Sequence, residues 1–531
     1  MVRTSRLALL AALVAACGNP GFDRRGPSGR RVGERCNSAS DCQQGLYCVE
    51  QTCAATLPVG ACTTTAQIVL AEPVVPASRP DPIPDPPCAL PVRSIAPSFP
   101  AAQVQDKGAH PVGSVIQFEV PEKTTSFSIV SQEVDGSAVN DVTLKQGGQD
   151  VSFPNTVQPT NLLAPGSVQY YDDLAAIPAD PSTLFAQYVG FQPSTGVMTL
   201  PNTSRALDIV RSTGGLPAGT WQFTLTDTAA ECKVLGCTAD HANGIYDVKI
   251  LTRPGTLDGT GTLDADVYFV SQDPDHPTLT AADATADPAT NDTARHFQRF
   301  VSTLSQLFSR VGVCLGTVRV HAMPDWARSD FHDLDIDKSD PCSPMPRLFT
   351  LAAPESGVHL FFVDTIVTAT APGGGAVIVG IDGSIPGPSA VPGTLNSGAA
   401  VVLANFGLER TAGACSGPAD VARCGTDQVA YIAAHEAGHW LGLYHTTESS
   451  GTFFDPLTDT ASCACDTCAP AAQRAQCPNG NVKLFSSSCS GKVAGCGGAD
   501  NLMFWLVDPD FSTGALSPQQ GEVMRSNPAV H

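Results

Sequence analysis

Between residues 105 and 257 apolar and polar side chains alternate. Ile116, Phe118 and Val120 are interleaved with Gln117 and Glu119, Trp221, Phe223 and Leu225 with Gln222 and Thr224, and Tyr246, Val248 and Ile250 with Asp247 and Lys249. A period of two predicts half-buried strands. The turn clusters between them, Gly214–Gly219 and Asn243-Gly244, predict an antiparallel β-sandwich. From 258 to 531 the rhythm changes. Leu263–Val270 reads as a strand, and Ala294–Val311 as an amphipathic helix with Phe297, Phe300, Val301, Leu304, Leu307 and Phe308 on one side. Apolar strand candidates follow at Val318–Val320, Val358–Val363, Ala376–Ile381 and Ala399–Ala404. Val429–Ala434, with no proline or glycine before Gly438, then reads as a buried helix.

The N-terminal hundred residues have no such pattern. Arg3 and Arg6 precede an apolar run, Leu7–Val14, too short to span a bilayer and of the form of a secretory signal. It closes on Val14-Ala15-Ala16-Cys17, which resembles a bacterial lipobox, so residues 1–17 are read as a lipoprotein signal with Cys17 as the lipid attachment site. An ordinary cleaved signal is the alternative. Residues 18–34 read as a flexible tether and 35–65, with Cys36, Cys42, Cys48, Cys53 and Cys62, as a small disulfide-rich module. The proline-rich stretch 66–104 reads as a stiff linker. Setting Cys17 aside leaves 18 of the 19 cysteines, an even number, as expected for disulfides in an oxidising compartment. A net charge of −21 argues against nucleic acid and anionic lipid surfaces as partners. Membrane contact is therefore expected through the lipid alone, at the bacterial outer membrane or after release from it.

The chemistry is concentrated in His435-Glu436-Ala437-Gly438-His439-Trp440-Leu441-Gly442-Leu443-Tyr444-His445, which fits H-E-x-x-H-x-x-G-x-x-H at every fixed position. On a helix, residues i and i+4 lie one above the other, so His435 and His439 reach one Zn²⁺ together. Glu436 is left to activate the attacking water. Gly442 supplies the sharp turn that returns His445 as third ligand. A chance match is the bland reading, but three of the chain's 11 histidines fall in these eleven residues.

With strand, helix, strands and active helix in this order, residues 258–531 resemble a metzincin zinc endopeptidase, most similar to the pappalysin group. The likeness rests on His435 to Thr446, Asp459-Thr460, Asn501-Leu502-Met503 and Leu516-Ser517-Pro518-Gln519-Gln520 with Val523 and Met524. It implies an α+β metzincin catalytic domain, with Met503 as the Met-turn residue beneath the metal and an antiparallel edge strand, here Ala376–Ile381, that binds substrate. It also implies calcium as a further candidate cofactor, for which Asp455, Asp459, Asp508 and Asp510 offer oxygens although their spacing is not that of an EF-hand loop. Trp505 departs from the pattern, standing where many members carry a tyrosine that supports the tetrahedral intermediate. Cys463, Cys465, Cys468, Cys477, Cys489 and Cys496 are read as disulfides rather than as a second zinc site, and a local Cys415–Cys424 bridge is expected.

The expectation is a multidomain, lipid-anchored zinc metalloendopeptidase acting on protein or peptide substrates outside the cytoplasm. The alternative is a surface binding or adhesion lipoprotein on a catalytically weak metzincin scaffold. Retention of Glu436 argues for the enzyme, and Trp505 keeps the alternative open.

Overall fold

The computed structural model describes 65–79, 103–134, 195–227, 244–257, 259–272, 279–336, 343–367 and 378–531, with shorter stretches between them. Cys17, the signal, the tether and most of the cysteine-rich module lie outside the described residues. No helix among the described residues is long and apolar enough to cross a membrane.

The chain is a mixed α/β assembly. A four-stranded antiparallel sheet (order Thr195–Leu200, Thr124–Glu133, Ile245–Pro254, Gln103–Pro111) packs on a three-stranded one (Val115–Val120, Gly219–Asp227, Val157–Leu163). The alternation in sequence is why: Ile116, Phe118 and Val120 are buried while their neighbours are exposed. Phe127 meets Phe118 and Trp221 edge-on at 5.1 Å across the interface. The sandwich also carries a helix that the periodicity did not disclose, Ser204–Thr213, whose N-cap Thr203 accepts from Ala206 N–H and whose C-cap Gly214 takes a left-handed φ of 76°.

The second unit is a six-stranded sheet in the order Gly380–Asp382, Ala399–Val402, Val358–Val363, Gly261–Phe269, Val313–His321, Gln67–Leu70. All neighbours are parallel except the edge strand Gly380–Asp382, which runs antiparallel to Ala399–Val402. The centre is wholly apolar or buried, as strands covered on both faces require. Helix Asp292–Ser309 lies on it, with Phe300 edge-on to Phe362 at 5.2 Å.

Two features correct the reading of the N-terminal region. Gln67–Leu70, placed in the linker, is a parallel outer strand of this sheet beside Thr317–Val320. Cys62, placed in the small module, is disulfide-bonded to Cys314, 252 residues away. The stretch is thus stitched to the second unit, and a pairing this distant leaves no local pattern to read. The two units also share one continuous core, from Trp221 and Tyr246 through Leu257 to Val530 and Met524.

Candidate metal centre

Helix Gly425–Trp440 is buried on nearly every side, which its apolar residues permit, so it has little face left for water. Asp427 in its first turn is fully buried and held by Arg299 (2.9 and 2.5 Å) and Thr303 Oγ1 (2.8 Å), which fixes the helix to Asp292–Ser309. After Trp440 the chain turns at Gly442, φ 106°, a conformation that L side chains rarely adopt.

That turn brings His445 to the two helical histidines. The three Nε2 atoms are 3.1 Å (His435–His439), 3.0 Å (His439–His445) and 3.2 Å (His435–His445) apart. Each Nδ1 faces an acceptor: Leu502 O at 2.6 Å from His435, Leu443 O at 2.7 Å from His439, and Glu448 Oε1 at 2.9 Å from His445. Each ring therefore carries its proton on Nδ1 and aims an Nε2 lone pair at the same point. Three lone pairs so close repel unless a cation stands between them. A tetrahedral ion with nitrogens about 2.0–2.1 Å away would set them about 3.3–3.4 Å apart, close to what is found. Burial, with neighbouring imidazoles adding to it, lowers the His435 pKa to about 3 and that of His439 well below its ordinary value, so both are in the neutral, ligating form. The donor set fits a metal ion.

Glu436 is buried beside this triad. Burial pushes its carboxyl well above the usual range, the nearby Asp382 carboxylate adds to the rise, and a hydrogen bond from Asp382 N–H opposes it. Asp382 is itself raised to about 7, chiefly by burial. Both belong to one wall of the site: a Cβ on Gly380 would stand 2.4 Å from Glu436 Oε1, so the edge strand approaches the glutamate as closely as a glycine allows. Of the edge strand expected at Ala376–Ile381, Ala376 and Val377 lie outside the described residues, and Gly380 and Ile381 belong to the antiparallel edge strand Gly380–Asp382.

Met503 is fully buried beneath the helix, and a Cβ on Gly438 would be 2.6 Å from its sulfur. Its turn is tied to the histidines through the backbone: Thr446 N–H donates to Met503 O (2.9 Å) while Leu502 O accepts from His435. Asn501 Oδ1 takes the Met503 N–H at 2.8 Å, and Gln520 clasps the Asn501 amide.

Trp505 points elsewhere. Its indole N–H donates to Leu484 O at 2.8 Å, so it is already committed. The cysteines beside it are paired as Cys463–Cys489, Cys465–Cys477 and Cys468–Cys496, and Cys415 is bonded to Cys424. The candidate calcium ligands do not converge among the described residues. Asp455 accepts from Thr460 Oγ1, Asp459 from Ser517 Oγ and Gln519 N–H, and Asp508 from Asp510 N–H. A second cluster, His332, Asp333 and Asp364, also brings three ligating atoms together, with Thr365 Oγ1 donating to Asp333 Oδ1 and Gln272 N–H to Asp364 Oδ2.

Sequence reasoning missed Glu448 and Asp382. An acid three residues after the last histidine was the available signal for the first, whereas nothing local marks the second.

No protein-family model matches the chain, and no curated protein is found similar to it. Among solved structures, the crystal structure of metalloproteinase-II from Bacteroides fragilis is similar at 11% identity over 42% of this chain, with a TM-score of 0.18. The match spans 54% of that protein's length, and so loose an overlap carries no argument about chemistry, which rests on the chain's own residues.

Proposed function

We propose that the chain is a zinc-dependent endopeptidase of the pappalysin-like metzincin type, exported and anchored through Cys17, that hydrolyses peptide bonds of envelope or extracellular proteins. The observation that carries this reading is the convergence of His435, His439 and His445 Nε2 beside a buried glutamate that is not one of the ligands. Zinc held there would polarise the scissile carbonyl and lower the pKa of the attacking water.

The chain's own residues supply the rest. The three imidazoles, each oriented through Nδ1, would hold the ion. Gly380–Asp382 offers an antiparallel sheet edge along which an extended peptide adds as a further strand. Glu436, whose carboxyl the charge of a bound cation would bring back to its ionised form, would take the proton of the attacking water and pass it to the leaving amine. Met503 keeps the floor apolar. Trp505, spent on Leu484 O, leaves the oxyanion to the ion and to donors other than the indole.

That commitment of Trp505 is what favours the second reading, a binding protein on the same scaffold. A site that only binds metal has no use for Glu436. Zinc content and peptide cleavage, measured on the chain from residue 18 beside Glu436→Ala, separate the two readings: stoichiometric zinc without Glu436-dependent cleavage supports the binding protein.

A further inference from the structure

The three histidines are not oriented alike. His435 and His439 donate to backbone carbonyls that cannot leave without unfolding the site, but His445 donates to the side chain of Glu448, which is 43% exposed. Nothing in the motif requires that glutamate. It is presented by a tight turn, in which Glu448 N–H donates to Phe453 O (2.9 Å) and Gly451 N–H to Glu448 O (2.8 Å).

The turn is gripped from outside by the cysteine-paired loop. Cys463 N–H donates to Thr447 Oγ1 (3.0 Å), Cys465 N–H to Gly451 O (2.9 Å) and Leu484 N–H to Ser449 O (2.8 Å). These bonds bracket Glu448 on both sides. Gly451 has φ 63°, and a Cβ there would fall 2.2 Å from Leu484 Cδ1 and 3.0 Å from Cys463 O and Cys465 N, so the two segments touch with no space between. Disulfides Cys463–Cys489 and Cys465–Cys477 close the loop at the very residues that make these contacts.

We propose that Glu448 is the positioning residue of the third ligand, and that the disulfide-stapled loop exists to hold the turn that presents it. The proposal rests on the reading of the histidines as metal ligands. A carboxylate accepting from the far nitrogen of a ligating histidine fixes its ring and raises its basicity, and removing such a partner weakens metal affinity roughly 10–100-fold. The loop then acts on the metal only through Glu448.

The test is the affinity of the full secreted chain for Zn²⁺, by competition with a chromophoric chelator, and the visible absorption of the Co²⁺-loaded protein. Glu448→Ala is expected to weaken Zn²⁺ roughly 10–100-fold and to alter the Co²⁺ bands. Glu448→Gln, which keeps an acceptor, should recover part of the loss, and Asp466→Ala, an exposed acid on the same loop, should change nothing. Gly451→Ala should weaken binding in the native chain but add little to Glu448→Ala, because the two lie on one path. Thermal melts of the metal-free variants establish that each is folded. Wild-type affinity in Glu448→Ala overturns this inference and leaves the protease reading standing. A wild-type chain that binds neither metal overturns both.

Discussion

Arg211, on the helix of the sandwich, donates to both carboxylate oxygens of Glu522 on helix Pro518–Ser526, with Nε 3.0 Å from Oε1. One residue of the same sandwich helix, Ser204, donates to Gln519 Oε1 at 2.7 Å, and its N–H to Pro456 O. Between Gln519 and Glu522 stands Gln520, which holds Asn501 and through it the Met503 turn. The sandwich therefore braces the floor of the candidate metal site. Both side chains of the pair are close to nine-tenths buried, so Arg211→Ala leaves a nearly buried carboxylate alone, at a cost of about 3 kcal/mol. Chemical denaturation of the two proteins measures it.

Removing residues 1–257 should abolish soluble, folded protein rather than release a latent protease. The cut discards Gln67–Leu70, the Cys62–Cys314 bond and the shared core. Expression of 258–531 with circular dichroism decides this: a folded, more active fragment would contradict it.

Gly438 and Met503 form a second coupled pair. Gly438→Ala drives a methyl into the Met503 sulfur, an overpacking cost of about 1–3 kcal/mol. In a Met503→Ala background the same change should cost distinctly less, since the space is then free. A double-mutant cycle on unfolding free energy reads the difference.

Trp505 offers a test of the oxyanion. With its N–H on Leu484 O, Trp505→Phe should lower stability by about 1 kcal/mol and kcat/KM by less than about tenfold. Loss of a true oxyanion donor costs roughly 10²–10³ in kcat, so a fall of that size would place the indole in the reaction.

The pH dependence of stability carries a signature of His359, on strand Val358–Val363. Its Nδ1 is 3.0 Å from Tyr268 Oη, and it faces Asp266, His321 and Arg319. Burial lowers its pKa from 6.5 to about 4, with Asp266 opposing and His321 and Arg319 reinforcing. The unfolded chain takes up this proton at the higher pH. The stability is therefore fully present above pH 6.5 and is lost as pH falls toward about 4, by on the order of 3 kcal/mol. Asp382 and Asp459, raised to about 7 and about 6, contribute with the opposite sign. Both are retained in His359→Gln, so the wild-type minus variant difference should isolate the histidine, and a flat difference between pH 4 and 6.5 would refute it.

Legibility followed locality. The sandwich strands and the helix at Asp292–Ser309 could be read because one face of each is apolar at a fixed period. The motif could be read because its spacing encodes a helix and a turn. Helix Ser204–Thr213 was not read, although Thr203 and Gly214 mark its ends, because only four of its ten residues are buried. Within the edge strand expected at Ala376–Ile381 the pairing includes Gly380, whose missing side chain makes room for Glu436, a close approach that no local pattern marks. Cys62, Gln67–Leu70, Glu448 and Asp382 owe their roles to partners far away or across a turn.

The central claim is met most directly by one comparison: metal content and cleavage of an unfolded protein substrate by the chain from residue 18, made in an oxidising host, against Glu436→Ala. The account predicts one zinc per chain in both proteins, and cleavage that falls by at least about 10²-fold in the variant. Equal cleavage by the two proteins, or wild-type protein that carries zinc and cleaves nothing, would contradict it.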